Sequence, residues 1–315
     1  MRFILSRKGY DSQFGGSPSP VFKTIGQNLD GFMYSIPVPE RDSKGNSYIY
    51  PELHAPKTPT NFPVNTRYFH LDPDIRPELH QELPNKWKPI FGQSEAAASH
   101  LKSQHVQKGD IFLFFGLFQD AIWNPNREQW LFGKSKPFHA IWGYMQIADI
   151  IENIDESIQK KYPWHPHCQE NYHSDPKRNT LYIGNEGKLI IRDIVLNNQG
   201  YGTFKYSDKL RLTLPDNKLK LTLNKPSDSG WTHWKLDCLP WLDTSDKKNP
   251  KPHMTYHKQE NFQNGFFQAA SKGQEFVTDN FNNEPKLYKV VLDWFKDLVT
   301  LRTSFPENQL QESKL

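Results

Sequence analysis

Apolar positions in this 315-residue chain fall into short runs separated by polar and proline-rich stretches, with one long exception. From Val106 to Ile150 the chain reads V-Q-K-G-D-I-F-L-F-F-G, then a polar insert, then P-F-H-A-I-W-G-Y-M-Q-I-A-D-I-I. Apolar runs bounded by turn residues predict strands covered on both faces. Lys108-Gly109-Asp110 predicts the turn that launches the first of them. Arg2–Ser6 and Met33–Val38 predict further strands, and the proline-rich stretch Pro51–Pro63 predicts an extended surface segment. Leu181–Ile183, Lys188–Val195, Leu210–Leu214 and Lys218–Leu223 predict short strands, the last from its period-two K-L-K-L-T-L alternation. Two helices stand out. Ser94–His105 has Ser94 as N-cap and three consecutive alanines. Pro285–Leu301 has a proline in its first turn and a stripe of Leu287, Val290, Val291, Trp294, Leu298 and Leu301.

Regular strand–helix alternation is missing, which argues against a doubly wound parallel sheet. The pattern predicts an α+β fold with a strongly bent, mostly antiparallel sheet or a small β-barrel and flanking helices. One domain over 1–305, with the barrel-like core around 106–150 and a disordered tail at 306–315, is the expected organisation.

Composition changes that picture in one respect. Apolar residues are 36% of the chain and aromatics 14%, so large rings carry much of the burial and add candidates for base stacking. A net charge of +4 is too mild for a protein that binds mainly through a long phosphate track. The first residues lack the apolar core of a secretory signal, and no apolar run reaches the roughly 20 residues that span a bilayer. Cys168 and Cys238 form no CxxC pair, so a reducing, cytoplasmic setting is expected, with no membrane partner.

Candidate chemistry sits at predicted strand ends. In Ser6-Arg7-Lys8-Gly9-Tyr10-Asp11-Ser12, Arg7 and Lys8 are candidate phosphate ligands, Asp11 a proton acceptor and Ser12 a nucleotide contact; the alternative is a capped turn whose charges pair with each other. His70-Leu71-Asp72-Pro73-Asp74 places an imidazole and two carboxylates on one side if extended, suiting a divalent metal or an oriented base, though D-P-D is also a turn sequence. Trp164-His165-Pro166-His167-Cys168 offers His165 and His167, with Cys168 as a third donor, as weak metal candidates that match no established zinc spacing. Gly273-Gln274-Glu275-Phe276-Val277 supplies Glu275 as a candidate general base and Gln274 as a base contact, only one of which can face a given pocket. His139 and Trp142 lie three apart on one strand and face opposite sides unless a bulge intervenes; with Phe115 they are candidates to line a base-sized hollow, core packing being the alternative. No Walker loop, GxGxxG, G-x-S-x-G or zinc-deaminase pattern occurs.

Taken in order, S-R-K-G-Y-D-S, G-G-S-P-S-P, H-L-D-P-D, F-G-Q at Phe91–Gln93, G-D-I-F-L-F-F-G, H-A-I-W-G, H-P-H and G-Q-E-F-V resemble the bacterial and phage family called nucleotide modification associated domain, type three. The resemblance implies a link to modified bases in DNA or to defence against phage; it carries no assigned catalytic residues. The G-D strand and the I-W-G strand are also similar to PUA-like barrels, which include readers of modified bases. The expected function is therefore recognition of a nucleotide or nucleic-acid base, most simply in DNA, with partners in a modification or defence system. His70, Asp72, Glu275 and Asp11 are the acid–base candidates if the chain is an enzyme. Arg7, Lys8, Ser12, Gln93, Phe115, His139, Trp142 and Gln274 are the binding candidates. The rivals are a non-catalytic reader of modified DNA and a metal-dependent nuclease built on His70, Asp72 and Asp74. The cofactor is open, a divalent metal being the one these residues suggest.

Overall fold

The computed structural model describes residues 1–9, 17–23, 31–39, 69–77, 87–124, 126, 129–169, 178–222, 230–271, 275–281 and 284–303. Asp11, Ser12, Gln274, the Pro51–Pro63 stretch and the 306–315 tail thus lie outside the described residues. Among the described residues, ten strands make the main sheet: β1 (Phe3–Arg7), β2 (Ser19–Lys23), β3 (Ile90–Ser94), β4 (Ile111–Asn124), β5 (Gln129–Phe132), β6 (Phe138–Glu152), β7 (Asn179–Gly184), β8 (Tyr201–Phe204), β9 (Phe276–Val277) and β10 (Arg302–Thr303). Among the described residues the α-helices are α1 (Glu95–Ser103), α2 (Glu156–Lys161), α3 (Asp216–Leu219) and α4 (Pro285–Val299).

The two long apolar runs become β4 and β6, which pair antiparallel at the centre of the sheet. Residues Ile111 to Phe118 are buried without a break, as expected of a strand covered on both faces. Gly109, at φ 88°, turns the chain into β4. Asp110 then accepts the backbone N–H groups of Arg2 at 2.7 Å and Gln107 at 3.0 Å. The G-D motif is therefore a strand-starting device that also anchors β1. The motif does not itself form a ligand site.

Pairing runs β3-β7-β6-β4-β1-β9, antiparallel except where β1 and β2 lie parallel to β4. The sheet curls until its ends meet: Gln93 on β3 donates through Nε2 to Glu275, the residue before β9. That closure is made by side chains, with no backbone ladder between β3 and β9, so the bent-sheet expectation holds and the closed-barrel alternative does not.

Several local expectations change. The described part of Lys218–Leu223 is not a strand: α3 and a turn cover Asp216–Thr222, where Leu219 is buried while Lys220 and Leu221 face solvent. Leu210–Leu214 makes only isolated bridges, and so does the start of Met33–Val38. Lys188–Val195 is a hairpin folded at Arg192-Asp193, with arms at Lys188–Ile191 and Ile194–Gln199. Ser94 occupies the N-cap of α1 but makes no side-chain cap. The buried face of α4 is Tyr288, Val291, Leu292, Phe295, Leu298 and Val299, rotated from the predicted stripe so that Val290 is exposed. The aromatic Tyr288 and Phe295 displace it, since each removes more apolar area than a valine.

Candidate functional site

The segment Phe69–Pro77 runs along the outer edge of β3. Asp74 and Ile90 exchange backbone hydrogen bonds of 2.8 and 3.0 Å, and His70 stands opposite Val38 in a short antiparallel pair. This brings Asp72, 8% exposed, over Gly92, whose N–H donates to Asp72 Oδ1 at 2.7 Å. Four cationic or imidazole groups surround the carboxylate. Lys8 Nζ lies 3.6 Å from Oδ2, His70 Nε2 3.8 Å from Oδ2, His165 Nε2 3.6 Å from Oδ1 and His167 Nε2 3.8 Å from Oδ2. Lys8 and His70 form the partly open rim, while Asp72, His165 and His167 form the buried floor. Burial alone would raise the Asp72 acid, yet Lys8, then His165, His70 and His167, hold it well below the usual carboxylate range.

The floor is oriented by neighbouring donors. Asn179 on β7 donates from Nδ2 to the His167 carbonyl at 2.8 Å, so its Oδ1 faces His167 Nδ1 at 2.7 Å and takes the ring proton there. The lone pair of His167 is then on Nε2, the atom facing Asp72. His165 has the opposite tautomer: its Nδ1 accepts the His167 N–H at 3.3 Å, leaving Nε2–H toward Asp72. Burial depresses His167 well below an ordinary imidazole, only partly offset by Asp72. Gly92 makes the close packing possible, for a Cβ there would lie 2.3 Å from His167 Cδ2.

A second buried polar group adjoins the first through the same strands. Glu275 Oε1 accepts from Ser6 Oγ at 3.2 Å and from Gln93 Nε2. Thus β1 supplies Ser6 to one cluster and leads into Lys8 in the other, and β3 supplies Gln93 and Gly92 in the same way. Lys8 Nζ also sits 4.5 Å from the Phe91 ring centroid, over the face.

Other residues singled out by the sequence lie apart from this site. Asp74 does not join His70 and Asp72, because its carboxylate accepts Trp87 Nε1 at 2.9 Å. Cys168 is buried, and burial pushes its thiol up to about 12. Arg7 donates to the Ser271 carbonyl at 3.0 Å. Phe115 and Trp142 are core rings, 1% and 2% exposed, and offer no open face to a base. A bulge does occur at Trp142, where Phe114 pairs Gly143 and Phe115 pairs Ile141. Trp142 packs on Phe114 while His139 packs on Phe115 and Trp234.

His139 is a neutral core imidazole whose Nδ1 accepts from Trp234 Nε1 at 3.2 Å; burial first, and Arg7 second, push it from 6.5 to about 3. Between these values the unfolded chain binds a proton that the fold refuses. Its stability contribution is therefore full above pH 6.5 and declines as pH falls toward 3. At pH 5 the loss from this group is expected to reach about 2 kcal/mol. Urea unfolding of the wild type and His139→Gln at pH 7.5 and 5 measures it, and equal pH dependence in both proteins would refute the assignment.

The predicted residues that do converge are Lys8, His70, Asp72, His165 and His167, with Gln93 and Glu275 alongside. Sequence reasoning passed over Gly92 and Asn179. F-G-Q marked the strand that carries Gly92, but nothing near Asn179 signalled its role. The chain matches the family model described as nucleotide modification associated domain 3 over residues 2–279. It belongs to that family. The matched region includes every residue of both clusters and ends before α4. Membership ties the chain to nucleotide modification in general terms. No curated protein and no solved structure matches it. Among the described residues, no helix is long and apolar enough to cross a membrane.

Proposed function

We propose that this protein is an enzyme acting on a nucleotide or on a base in DNA, as part of a modification or phage-defence system, and that its chemistry takes place at the Lys8–His70 rim of the Asp72 cluster. The supporting observation is one buried carboxylate ringed by an ammonium and three imidazoles at 3.6–3.8 Å. Gathering so many ionisable groups costs desolvation that an apolar core would avoid, and such clusters concentrate at functional sites. Lys8 binds a phosphate oxygen as a point charge, with Arg7 beside it in sequence as a second phosphate candidate. His70, backed by Asp72, is the acid–base group nearest solvent. Glu275 acts as a positioning residue, because Ser6 and Gln93 occupy its Oε1 and join the two edges of the sheet. The mild charge of +4 suits a nucleotide or a single exposed base better than a long phosphate track.

The test uses short oligonucleotides with and without modified bases. Lys8→Met is expected to weaken binding about tenfold and to reduce the salt slope of log K by about one. His70→Ala is expected to retain binding while the nucleoside products seen by mass spectrometry disappear. Binding to modified DNA with no product from the wild type would favour the reader. Unchanged binding and product in both variants would remove this reading altogether.

A further inference from the structure

We infer that His70, Asp72 and His167 form a binding site for one divalent first-row transition-metal ion. The inference rests on the reading of the same site and deepens it: an ion held there would take His70 Nε2, the atom facing Asp72, so that His70 would serve the chemistry as a ligand and not as a free acid–base group. One ligand atom from each of the three residues lies within 4.8 Å of the others. In a complex with ligand distances near 2.0–2.2 Å, neighbouring donors are about 3–3.5 Å apart, so closing on an ion needs a contraction of about 1 Å.

Three further observations point to a cation. First, the Asn179 contact leaves the His167 lone pair on Nε2, facing the carboxylate. A ring nitrogen and a carboxylate oxygen are both acceptors, and a shared cation satisfies both. Fixing the ligating tautomer through the other ring nitrogen is the usual outer support of a metal-bound histidine. Second, His165 is wholly buried, and its Nε2 has no hydrogen-bond partner among the described residues while pointing at Asp72 Oδ1 from 3.6 Å. That oxygen is occupied by the Gly92 N–H at 2.7 Å, while His70 and His167 both stand nearest Oδ2, the oxygen that would meet the ion. Third, the two imidazole donors converge on one side of the same carboxylate oxygen: His70 from the rim and His167 from the floor, each 3.8 Å from Oδ2, with ring centroids 5.6 Å apart.

Two nitrogen donors and one carboxylate select zinc, iron, cobalt or manganese over magnesium and calcium, which prefer oxygen. Three protein ligands leave coordination positions for water or a substrate oxygen. Lys8 is the internal competitor, since its ammonium lies 3.6 Å from the same Oδ2 and neutralises it without a metal.

The experiment titrates the full chain, stripped with a chelator, with Co²⁺ and follows ligand-field absorption and bound metal by mass spectrometry. One ion per chain is expected, displaced by Zn²⁺ and not by Mg²⁺. His167→Ala should lower affinity at least 100-fold, Asn179→Ala about 10–100-fold by releasing the His167 ring, and Lys8→Met should raise it several-fold. Because a buried variant can fail to fold, His70→Ala on the rim is the deciding variant, checked by circular dichroism. Absent Co²⁺ absorption, or equal affinity in wild type and folded His70→Ala, overturns the inference. If Co²⁺ does not bind while Lys8→Met still loses oligonucleotide affinity, only the metal inference falls. If Co²⁺ binds as described while neither Lys8→Met nor His70→Ala changes binding or product, only the proposed function falls.

Discussion

Gly92→Ala is expected to destabilise the protein by about 3 kcal/mol or more and to abolish the Asp72 cluster. The added Cβ would lie 2.3 Å from His167 Cδ2, 2.4 Å from Cγ and 2.8 Å from Nε2. The imidazole cannot retreat cheaply, because it is 4% exposed and held by Asn179 at both its ring nitrogen and its carbonyl. Moving the strand instead breaks the 2.7 Å bond from Gly92 N–H to Asp72 and disturbs the ladder with β7. Gly109→Ala is the control. That site has φ 88° but nothing within 4 Å of a new Cβ, so it carries only left-handed strain, about 1–2 kcal/mol. Chemical denaturation of both variants decides the point. A Gly92→Ala protein within about 1 kcal/mol of wild type would mean that the ring is not held where the structure places it.

The second large effect concerns Asp72→Asn. The amide oxygen can still accept from Gly92, so the backbone need not shift, but the anion facing Lys8, His70, His165 and His167 is gone. Removing one member of a buried charged group costs about 3–5 kcal/mol, the lower end being expected here because Lys8 reaches solvent. Turnover should fall below detection, and Co²⁺ affinity should drop at least as far as in His167→Ala. Oligonucleotide binding should survive, since Lys8 no longer shares its charge with a carboxylate. Full activity in Asp72→Asn, with a wild-type unfolding midpoint, would defeat both the functional reading and the stability argument.

Much of the scaffold was legible because its signals are local. The continuous apolar runs of β4 and β6, the Gly109-Asp110 turn and the proline-led α4 each follow from neighbouring residues and their backbone preferences. Local signals failed where burial overruled period. The alternation in Lys218–Leu223 reads as a strand, but of its described leucines Leu219 enters the core and Leu221 faces solvent. In α4 the wide aromatic side chains turned the buried face away from Val290. The aromatic candidates show a related limit. Phe115 and Trp142 as stacking rings, and His139 as a binding residue, follow from residue type, and type does not reveal that all three side chains are buried.

The chain by itself determined its family, its central strands, its two longer helices and the individual polar motifs H-L-D-P-D, H-P-H and G-Q-E-F-V. Tertiary structure decided which of those motifs meet. Lys8, His70, Asp72, Gly92, His167 and Asn179 come from separate segments, and no local period encodes contacts across such sequence separations. It also decided which nitrogen of each histidine faces the carboxylate, because a tautomer is set by the partner on the far side of the ring. For His167 that partner is Asn179 on another strand, and only folding brings the two within 2.7 Å.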